Sequence, residues 1–341
     1  MKKLIYILVF LLVLIAIAAI TIPVVLKEPI KKAVAEEANK NLNATLSFSD
    51  VDISIIWSFP DLYVGVTDLT IVNNEPFAGD TLVHLATLVL DVDLMSAFNG
   101  VPQVNSIRLE DGSLNVKVLK NGDANYDIAK ATASTQEEPT ESEEPGTFQF
   151  IIKHFGIEDV SISYSDGSSG TSFSTEALNM GLSGDLSTDR TMIETSILMK
   201  EVLLVSGGIP YLNKVEMELN AEVDADLANS AYQLKDNQFR INGLNLLWEG
   251  TVAMPNEQDI QMDLKFSAPK ADFKELLSLI PAIYAKDFEE IKTTGTLVIG
   301  GYANGLYNEN SIPGFNVDIK VADATVQYPD LPSRHPISRL I

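Results

Sequence analysis

The 341-residue sequence has no cysteine and three histidines, and its 24 Lys plus Arg are outnumbered by 47 Asp plus Glu. Without cysteine, disulfide bonds, lipid attachment to a thiol and thiolate metal sites are all excluded. The formal net charge of −23 repels phosphate backbones and anionic lipid headgroups. We therefore expect no nucleic-acid partner and no electrostatic attachment to a membrane surface.

Recognisable catalytic and metal-binding motifs are also absent from the sequence. His84, His154 and His335 are far apart and form no His-Glu-x-x-His or His-x-His spacing. No Gly-x-Ser-x-Gly nucleophile motif occurs, and no Gly-Lys-Ser follows a strand-like segment. The sequence predicts a protein that is not an enzyme and that has neither a metal site nor a cofactor.

Two pairs of aspartates are the remaining candidates for acid–base chemistry or metal binding. Asp91 with Asp93, and Asp224 with Asp226, are each separated by one residue, so each pair shares one face of a strand. In so acidic a chain, a solvated strand face is the favoured interpretation. Residues 123–127 resemble the start of an EF-hand loop but lack its sixth-position glycine and twelfth-position glutamate. We predict a turn there.

Residues 4–26 form an apolar run of 23 residues without a charge, between Lys2-Lys3 and Lys27. At ~1.5 Å per residue, a helix of that length is about 34 Å long and can cross a ~30 Å hydrocarbon core. A cleaved signal peptide ending at Ala16-Ile17-Ala18 is the alternative, but the apolar run continues past that site. We expect residues 4–26 to be a single transmembrane anchor, with residues 1–3 as a cytoplasmic tail and the bulk of the chain translocated.

The segment after this run is rich in helix-forming residues. Ile30, Val34, Ala38 and Leu42 recur at i, i+4 spacing, which places them on one side of a helix. We predict a short amphipathic helix whose apolar stripe either lies on lipid or packs on the sheet that follows. The periodicity does not distinguish these two arrangements.

From residue 44 onward the hydrophobic period changes from helical to twofold. Turn signals such as Ser165-Asp166-Gly167 and Asn242-Gly243 separate the alternating runs. The predicted fold class is mainly β: an antiparallel sheet in which each strand has one apolar and one polar face. The apolar positions of three such runs are Leu88, Leu90, Val92, Val215, Met217, Leu219, Ile260, Met262 and Leu264.

Two interruptions divide the β region. Residues 131–147 contain Ser, Thr, Pro and five Glu but no large apolar residue, which predicts a flexible acidic linker. Residues 272–291 predict a helix broken at Pro281, with Asp272 as its N-cap and Glu275 placed as in a capping box. We expect an N-terminal β domain with a leading helix over residues 27–130 and a second β-rich region over residues 148–341.

The nine alternating residues define an apolar sheet face that must be buried against another layer, a partner or a ligand. The predicted helices are too few to cover so much sheet. Either two sheets close into a sandwich, or a curved sheet presents an apolar groove that holds acyl chains. In a groove, the nine side chains would contact lipid and none of them would be catalytic.

Several stretches of the sequence resemble the AsmA family of Gram-negative envelope proteins, especially its Bacteroidota-type members. Each stretch is a pattern of hydrophobic and turn residues, and none is a catalytic signature. The stretches are residues 46–60, 64–73, 88–100, 104–112, 121–127, 272–288 and 326–332.

The resemblance implies an inner-membrane anchor followed by a periplasmic structure related to bridge-like lipid-transfer proteins. Such a structure is a long, curved sheet with an apolar groove, associated with phospholipid transport between membranes and with outer-membrane assembly. On this basis we expect the membrane, phospholipid and other envelope proteins as partners. The alternative is a structural or tethering protein with a closed sandwich and a protein partner.

The sequence departs from this family in its length. Family members usually continue considerably further, whereas residues 334–341 lose both the strand alternation and the acidic bias. We therefore expect the second β-rich region to be incomplete at its C-terminal end.

Overall fold

The computed structural model describes residues 27–29, 31–32, 36, 39–99, 103–130, 149–277, 292–327 and 335–337. The predicted anchor at residues 4–26 and the predicted linker at residues 131–147 lie outside them. Within the described part of the chain, no helix has both the length and the apolar character needed to cross a bilayer.

The chain forms two compact units. Unit 1 comprises Met1–Val116 and Asp123–His154, and unit 2 comprises Lys117–Gly122 and Phe155–Ile341. In both units the described residues are predominantly antiparallel β-structure, which confirms the predicted fold class.

Unit 1 is a small antiparallel sheet built around a long central strand. Two short strands pair with one edge of that central strand, one after the other, and a long strand pairs with its other edge. A short helix follows that long strand, and the next strand then pairs with the long strand's free edge. In chain order the elements are β1 (Ala44–Ser47), β2 (Asp50–Ser54), β3 (Leu62–Asn73), β4 (Thr81–Val92), α1 (Leu94–Asn99) and β5 (Gln103–Val118).

A helix precedes β1, as predicted: Lys27–Pro29, Lys31, Lys32, Glu36 and Asn39–Asn41 are helical. The stripe residues Ile30, Val34 and Ala38 lie outside the described residues. The Asn39 side chain donates to the carbonyl of Leu46 at 3.0 Å and accepts from its N–H at 2.9 Å. These two bonds satisfy the outer edge of β1, so the helix lies along that edge of the sheet.

The turn at residues 123–127 is held by amide side chains. Asn125 is buried, its Nδ2 donates to the Asn115 carbonyl at 2.7 Å, and its own carbonyl accepts from Asn73 Nδ2 at 2.6 Å. The turn predicted at residues 123–127 is therefore present, and it closes onto the end of β3 and onto β5. Among the described residues, no group of three or more His, Cys, Asp or Glu side chains is arranged to hold a metal ion.

Replacing Asn125 with alanine is expected to lower the free energy of unfolding by about 1–3 kcal/mol, because it removes the side-chain donor that the Asn115 backbone carbonyl accepts from. Urea denaturation followed by circular dichroism measures this loss. Asn74 is exposed in the preceding turn, and its replacement by alanine should change stability by less than about 0.5 kcal/mol. Equal losses in the two variants would show that the amide network does not stabilise unit 1.

Unit 2 is a meander in which each strand pairs with the next along the chain. Its strands are β6 (Gln149–Asp166, from Phe155 onward), β7 (Thr171–Ser183), β8 (Arg190–Ser206), β9 (Ile209–Asp226), β10 (Ala231–Ile241), β11 (Leu244–Ala253), β12 (Ile260–Asp272), β13 (Lys292–Tyr307), β14 (Gly314–Gln327) and β15 (His335–Ile337). The helix α2 (Phe273–Leu277) follows β12.

The predicted turns join these strands. At the β6–β7 turn, the Asp166 carboxylate accepts hydrogen bonds from Ser168 and Ser169, which lowers the pKa of Asp166 to about 2. At the β10–β11 turn, Asn242 has a φ of 50°, in the left-handed region that asparagine tolerates.

The helix α2 confirms the first part of the predicted broken helix, whose residues 278–291 lie outside the described residues. Glu275 accepts a hydrogen bond from the Gly243 N–H at 3.0 Å, which ties α2 to the β10–β11 turn. Phe273 packs against a buried cluster in the sheet. The cluster consists of Val202, Val215, Ile241, Leu244, Ala268, Ala271, Leu297, Ile299, Val321 and Ala324.

Candidate functional site

A row of cross-strand partners crosses seven consecutive strands of unit 2, from β8 to β14. Residues directly opposite each other in a ladder, and residues two apart in a strand, lie on the same face of the sheet. The register therefore places all members of the row on one face, which we call the apolar face. Strand by strand they are Ile197, Leu219, Phe239, Leu246 with Trp248, Phe266, Gly301 and Val317.

Five of the nine predicted contact residues lie on the apolar face and are half-buried: Met217, Leu219, Ile260, Met262 and Leu264. Ladder pairing links them through their neighbours. Leu219 opposes Phe239, and Leu264 opposes Ala303 and lies two residues from Phe266. The alternating runs of β9 and β12, whose relative position the sequence does not specify, thus belong to one surface.

Val215 belongs to the same unit but is 2% exposed, within the buried cluster against Val202. In unit 1, Val92 is likewise buried and opposes Leu62 and Val104. A ligand would reach either side chain only if the core opened.

The remaining two predicted residues, Leu88 and Leu90, are half-buried in β4. Their ladder partners in β3 are Val66 and Val64, so they continue an apolar face within unit 1. The predicted lipid contacts therefore divide into two buried core residues and seven side chains with accessible surface.

Exposure on the apolar face increases with distance from the buried cluster, for example along β14 from Val321 at 6% to Ile319 at 44%. Along β12, half-buried Ile260, Met262 and Leu264 alternate with exposed polar residues. On β14, Phe315 is 72% exposed and Val317 is 52% exposed. Inward residues of a closed sandwich interdigitate with a second sheet and become buried, whereas these side chains retain accessible apolar surface.

The opposite face of the sheet is polar and electrostatically paired. Arg240 donates to Glu218 at 3.0 Å and to Glu216 at 2.9 Å. These bonds lower the pKa of Glu218, with a contribution from Asn220, and raise the pKa of Arg240. Exposed ion pairs of this kind are compatible with water. The polar face therefore suits an aqueous environment, whereas the other face presents apolar side chains.

An open cleft of about 880 Å³ lies against the polar side of β11–β14. Apolar surface in the cleft comes from Leu247 and Tyr302 and from Trp248 and Phe266 of the apolar row. Its charged lining residues are Asp236, Glu249, Asp263, Asp318 and Lys265. With four carboxylates and one ammonium group, the cleft repels phosphate groups. It is thus unsuited to a phospholipid headgroup.

The aspartates considered as acid–base candidates have local structural roles. Asp91 accepts a hydrogen bond from the Ser58 hydroxyl, and Asp93 caps α1 by accepting from the Ser96 N–H at 2.6 Å. In unit 2, Asp224 forms ion pairs with Arg190 at 3.8 Å and Lys235 at 3.5 Å. Asp226 accepts from Asn229 in the adjoining turn, which lowers its pKa.

Of the histidines, His84 shares a hydrogen bond with Thr70 at 3.1 Å on the exposed surface. It is placed as a cross-strand partner in the β3–β4 ladder. The aspartates and His84 thus take part in turns, a helix cap, ion pairs and a cross-strand pair.

The contributions of β8, β10 and β11 to the apolar face were not predicted from the sequence. A bulge at Asp236-Asn237 shifts the register of β10 against both neighbours, so Leu234 and Phe239 share a face although they are five residues apart. The Asn237 side chain accepts a hydrogen bond from the Glu222 N–H at 2.7 Å, so this backbone group of β9 keeps a partner where the bulge interrupts the ladder. The signal that could have revealed the bulge is Asp-Asn within an otherwise alternating run.

Three comparisons with known proteins were informative to different degrees. No significant match is found among curated proteins or among solved structures. A family model, that of the AsmA family, matches residues 1–286. Because this match covers most of the 341-residue sequence and agrees with the resemblance noted from its motifs, the chain belongs to the AsmA family.

Proposed function

We propose that this chain is a non-enzymatic, membrane-anchored envelope protein whose apolar face holds the acyl chains of phospholipids in transit between the inner and outer membranes. In this role it supports outer-membrane biogenesis. The anchor is residues 4–26, in the inner membrane, and the two β units are periplasmic. The observation that carries the proposal is the row of half-exposed apolar side chains across β8–β14.

The physical basis is the transfer of acyl chains out of water. Each methylene group buried against apolar side chains contributes about 0.8 kcal/mol, and this interaction has no directional requirement. A lipid can therefore move along such a face without breaking hydrogen bonds to it. Membership of the AsmA family supports an envelope role. The acidic composition supports contact between the polar face and water, while the apolar face holds lipid.

Native mass spectrometry with lipid extraction tests the proposal on a chain that begins at Lys27, expressed in the periplasm and purified without detergent. We expect phospholipid to remain bound at a stoichiometric level. A folded, lipid-free protein would contradict the proposal.

A structural or tethering protein is the second candidate, and the outer edge of β14 favours it. Within the described residues, β15 pairs with Ala324–Val326 and leaves the first part of β14 without a partner on that side. The exposed Phe315, Val317 and Ile319 lie along this part. A protein partner that adds a strand there would protect the β14 backbone amides from hydrogen exchange, whereas bound lipid leaves the backbone edge unpaired.

A further inference from the structure

The loop between β2 and β3 presents large apolar side chains to solvent. We call this loop, residues 55–61, the aromatic tip. Ile56 is 71% exposed, and Trp57 and Phe59 are each 77% exposed. Met95, at the start of α1, is 68% exposed. A soluble protein rarely leaves several such side chains together in water without a use for them.

The tip and α1 occupy the same end of unit 1. Leu62, the first residue of β3, opposes Val92, the last residue of β4, and α1 begins two residues later. The Ser58 hydroxyl donates to Asp91, and Asn105 donates to Asp61 at 3.1 Å. These bonds fix the tip at this end of the sheet.

The helix that precedes β1 runs back from Asn39 to Lys27 toward this same end. Asn39 binds Leu46 in β1, whereas Lys27 donates to Asp50, the first residue of β2, at 2.8 Å. Going back along the helix from Asn39 to Lys27 therefore follows the direction of β1 and β2 toward the tip. The hydrogen bond to Lys27 holds the pKa of Asp50 below its ordinary value, and the bond to Asp50 raises the pKa of Lys27.

The tip lies beyond Lys27 in the direction in which β2 runs. Lys27 directly follows the uncharged run of residues 4–26. From Asp50, at the level of Lys27, β2 continues for four residues toward the tip, which is about 13 Å at ~3.3 Å per residue. If residues 4–26 enter the membrane in the direction in which β2 runs, the tip extends past the point where they enter.

We propose that the aromatic tip and Met95 insert into the interface of the membrane that holds the anchor, so that unit 1 contacts the bilayer at a second point. Tryptophan and phenylalanine at a headgroup boundary bury their rings among acyl chains, about 5–10 Å deep. The neighbouring acids already have partners: Asp61 is bonded to Asn105, and Asp93 caps α1. Residues 55–61 contain no Lys or Arg, so the tip fits a zwitterionic lipid surface.

This inference rests on the membrane anchoring in the proposed function and is independent of lipid binding by unit 2. Its consequence is that the sheet of unit 1 has a defined orientation above the membrane, because two contacts restrict its rotation about the anchor.

The test uses the two tryptophans of the chain, Trp57 and Trp248. Full-length protein with Trp248→Phe is reconstituted into phosphatidylcholine vesicles in which the acyl chains are brominated either near the headgroup or near the methyl end. Bromine quenches indole fluorescence at close range. We expect emission from Trp57 to be quenched most by bromine near the headgroup. The comparison variant, Trp57→Phe, leaves Trp248 as the sole fluorophore. Because Trp248 lies on the apolar face, quenching in this variant reports lipid held by unit 2 and is subtracted from that of the wild type.

Flotation and alkaline carbonate extraction separate the outcomes. An anchored protein with Trp57 unquenched at either depth would overturn the inference while leaving the anchor intact. A protein that carbonate extracts would contradict the anchor as well. If Trp248→Phe fails to fold, the difference in quenching between the wild type and Trp57→Phe reports Trp57 directly.

Discussion

An aspartate in place of Leu219 is expected to remove most of the phospholipid that we propose the protein holds, while the sheet stays folded. Leu219 is half-buried at the centre of the apolar face, between Ile197 and Phe239. A carboxylate there must either be desolvated by an acyl chain or keep its water and exclude the chain. The bound lipid, measured by extraction and mass spectrometry, should fall at least about tenfold, which corresponds to roughly 1.4 kcal/mol.

The matched control is Leu247→Asp. Leu247 opposes Gln238 and Ser267 on the polar face of the same sheet and is 38% exposed. This variant should retain its lipid. Circular dichroism and thermal unfolding establish that both variants are folded. Equal lipid loss in both, or lipid loss in Leu219→Asp that occurs only on unfolding, would argue against a lipid-binding face.

Truncating Leu297 to alanine is expected to have the largest effect on stability. Leu297 is completely buried, opposes Val321 and Ala271, and belongs to the cluster that Phe273 of α2 packs against. Leucine-to-alanine substitutions in such positions reduce the free energy of unfolding by about 2–5 kcal/mol, because a cavity remains where the side chain was. Urea denaturation monitored through Trp248, in a Trp57→Phe background, reports unit 2 specifically.

Leu186 provides the comparison for this substitution. It lies in the turn between β7 and β8 and is 44% exposed, so Leu186→Ala should change stability by less than about 0.5 kcal/mol. A loss at Leu297 no larger than at Leu186 would mean that the buried cluster is not the core of unit 2.

Twofold alternation was sufficient to predict the antiparallel strands. In β12, Ile260, Met262 and Leu264 alternate with polar residues without interruption, and all three lie on the apolar face. The strand was recoverable because an uninterrupted ladder preserves the relation between sequence parity and sheet face. Family membership was likewise recoverable, since the soft motifs recur in order along the chain.

Alternation failed where the backbone departs from a regular ladder. At Glu201, whose φ is 54°, the register of β8 shifts, so Met199 and Val202 oppose Met217 and Val215 although they are three residues apart. Bulges of this kind depend on pairing with the neighbouring strand, which the local sequence does not specify. Burial posed the same difficulty. Val215 and Met217 share one alternating run, yet Val215 lies in the core because the cluster near α2 covers it.

The aromatic tip illustrates a third limit. Its residues stood out in the sequence as part of a family motif, but their exposure depends on the hairpin geometry of β2 and β3. The position of Lys27 relative to the tip is defined by its bond to Asp50. Both facts concern residues that are distant in sequence, so no local pattern encodes them.

The most direct test of a lipid-binding apolar face is photocrosslinking of the full-length protein in living cells. A photoreactive benzoylphenylalanine replaces Met262 on the apolar face in one strain and Leu247 on the polar face in another. We expect radiolabelled phospholipid to crosslink at position 262 and not at position 247. Crosslinking at neither position, or equally at both, would contradict the account.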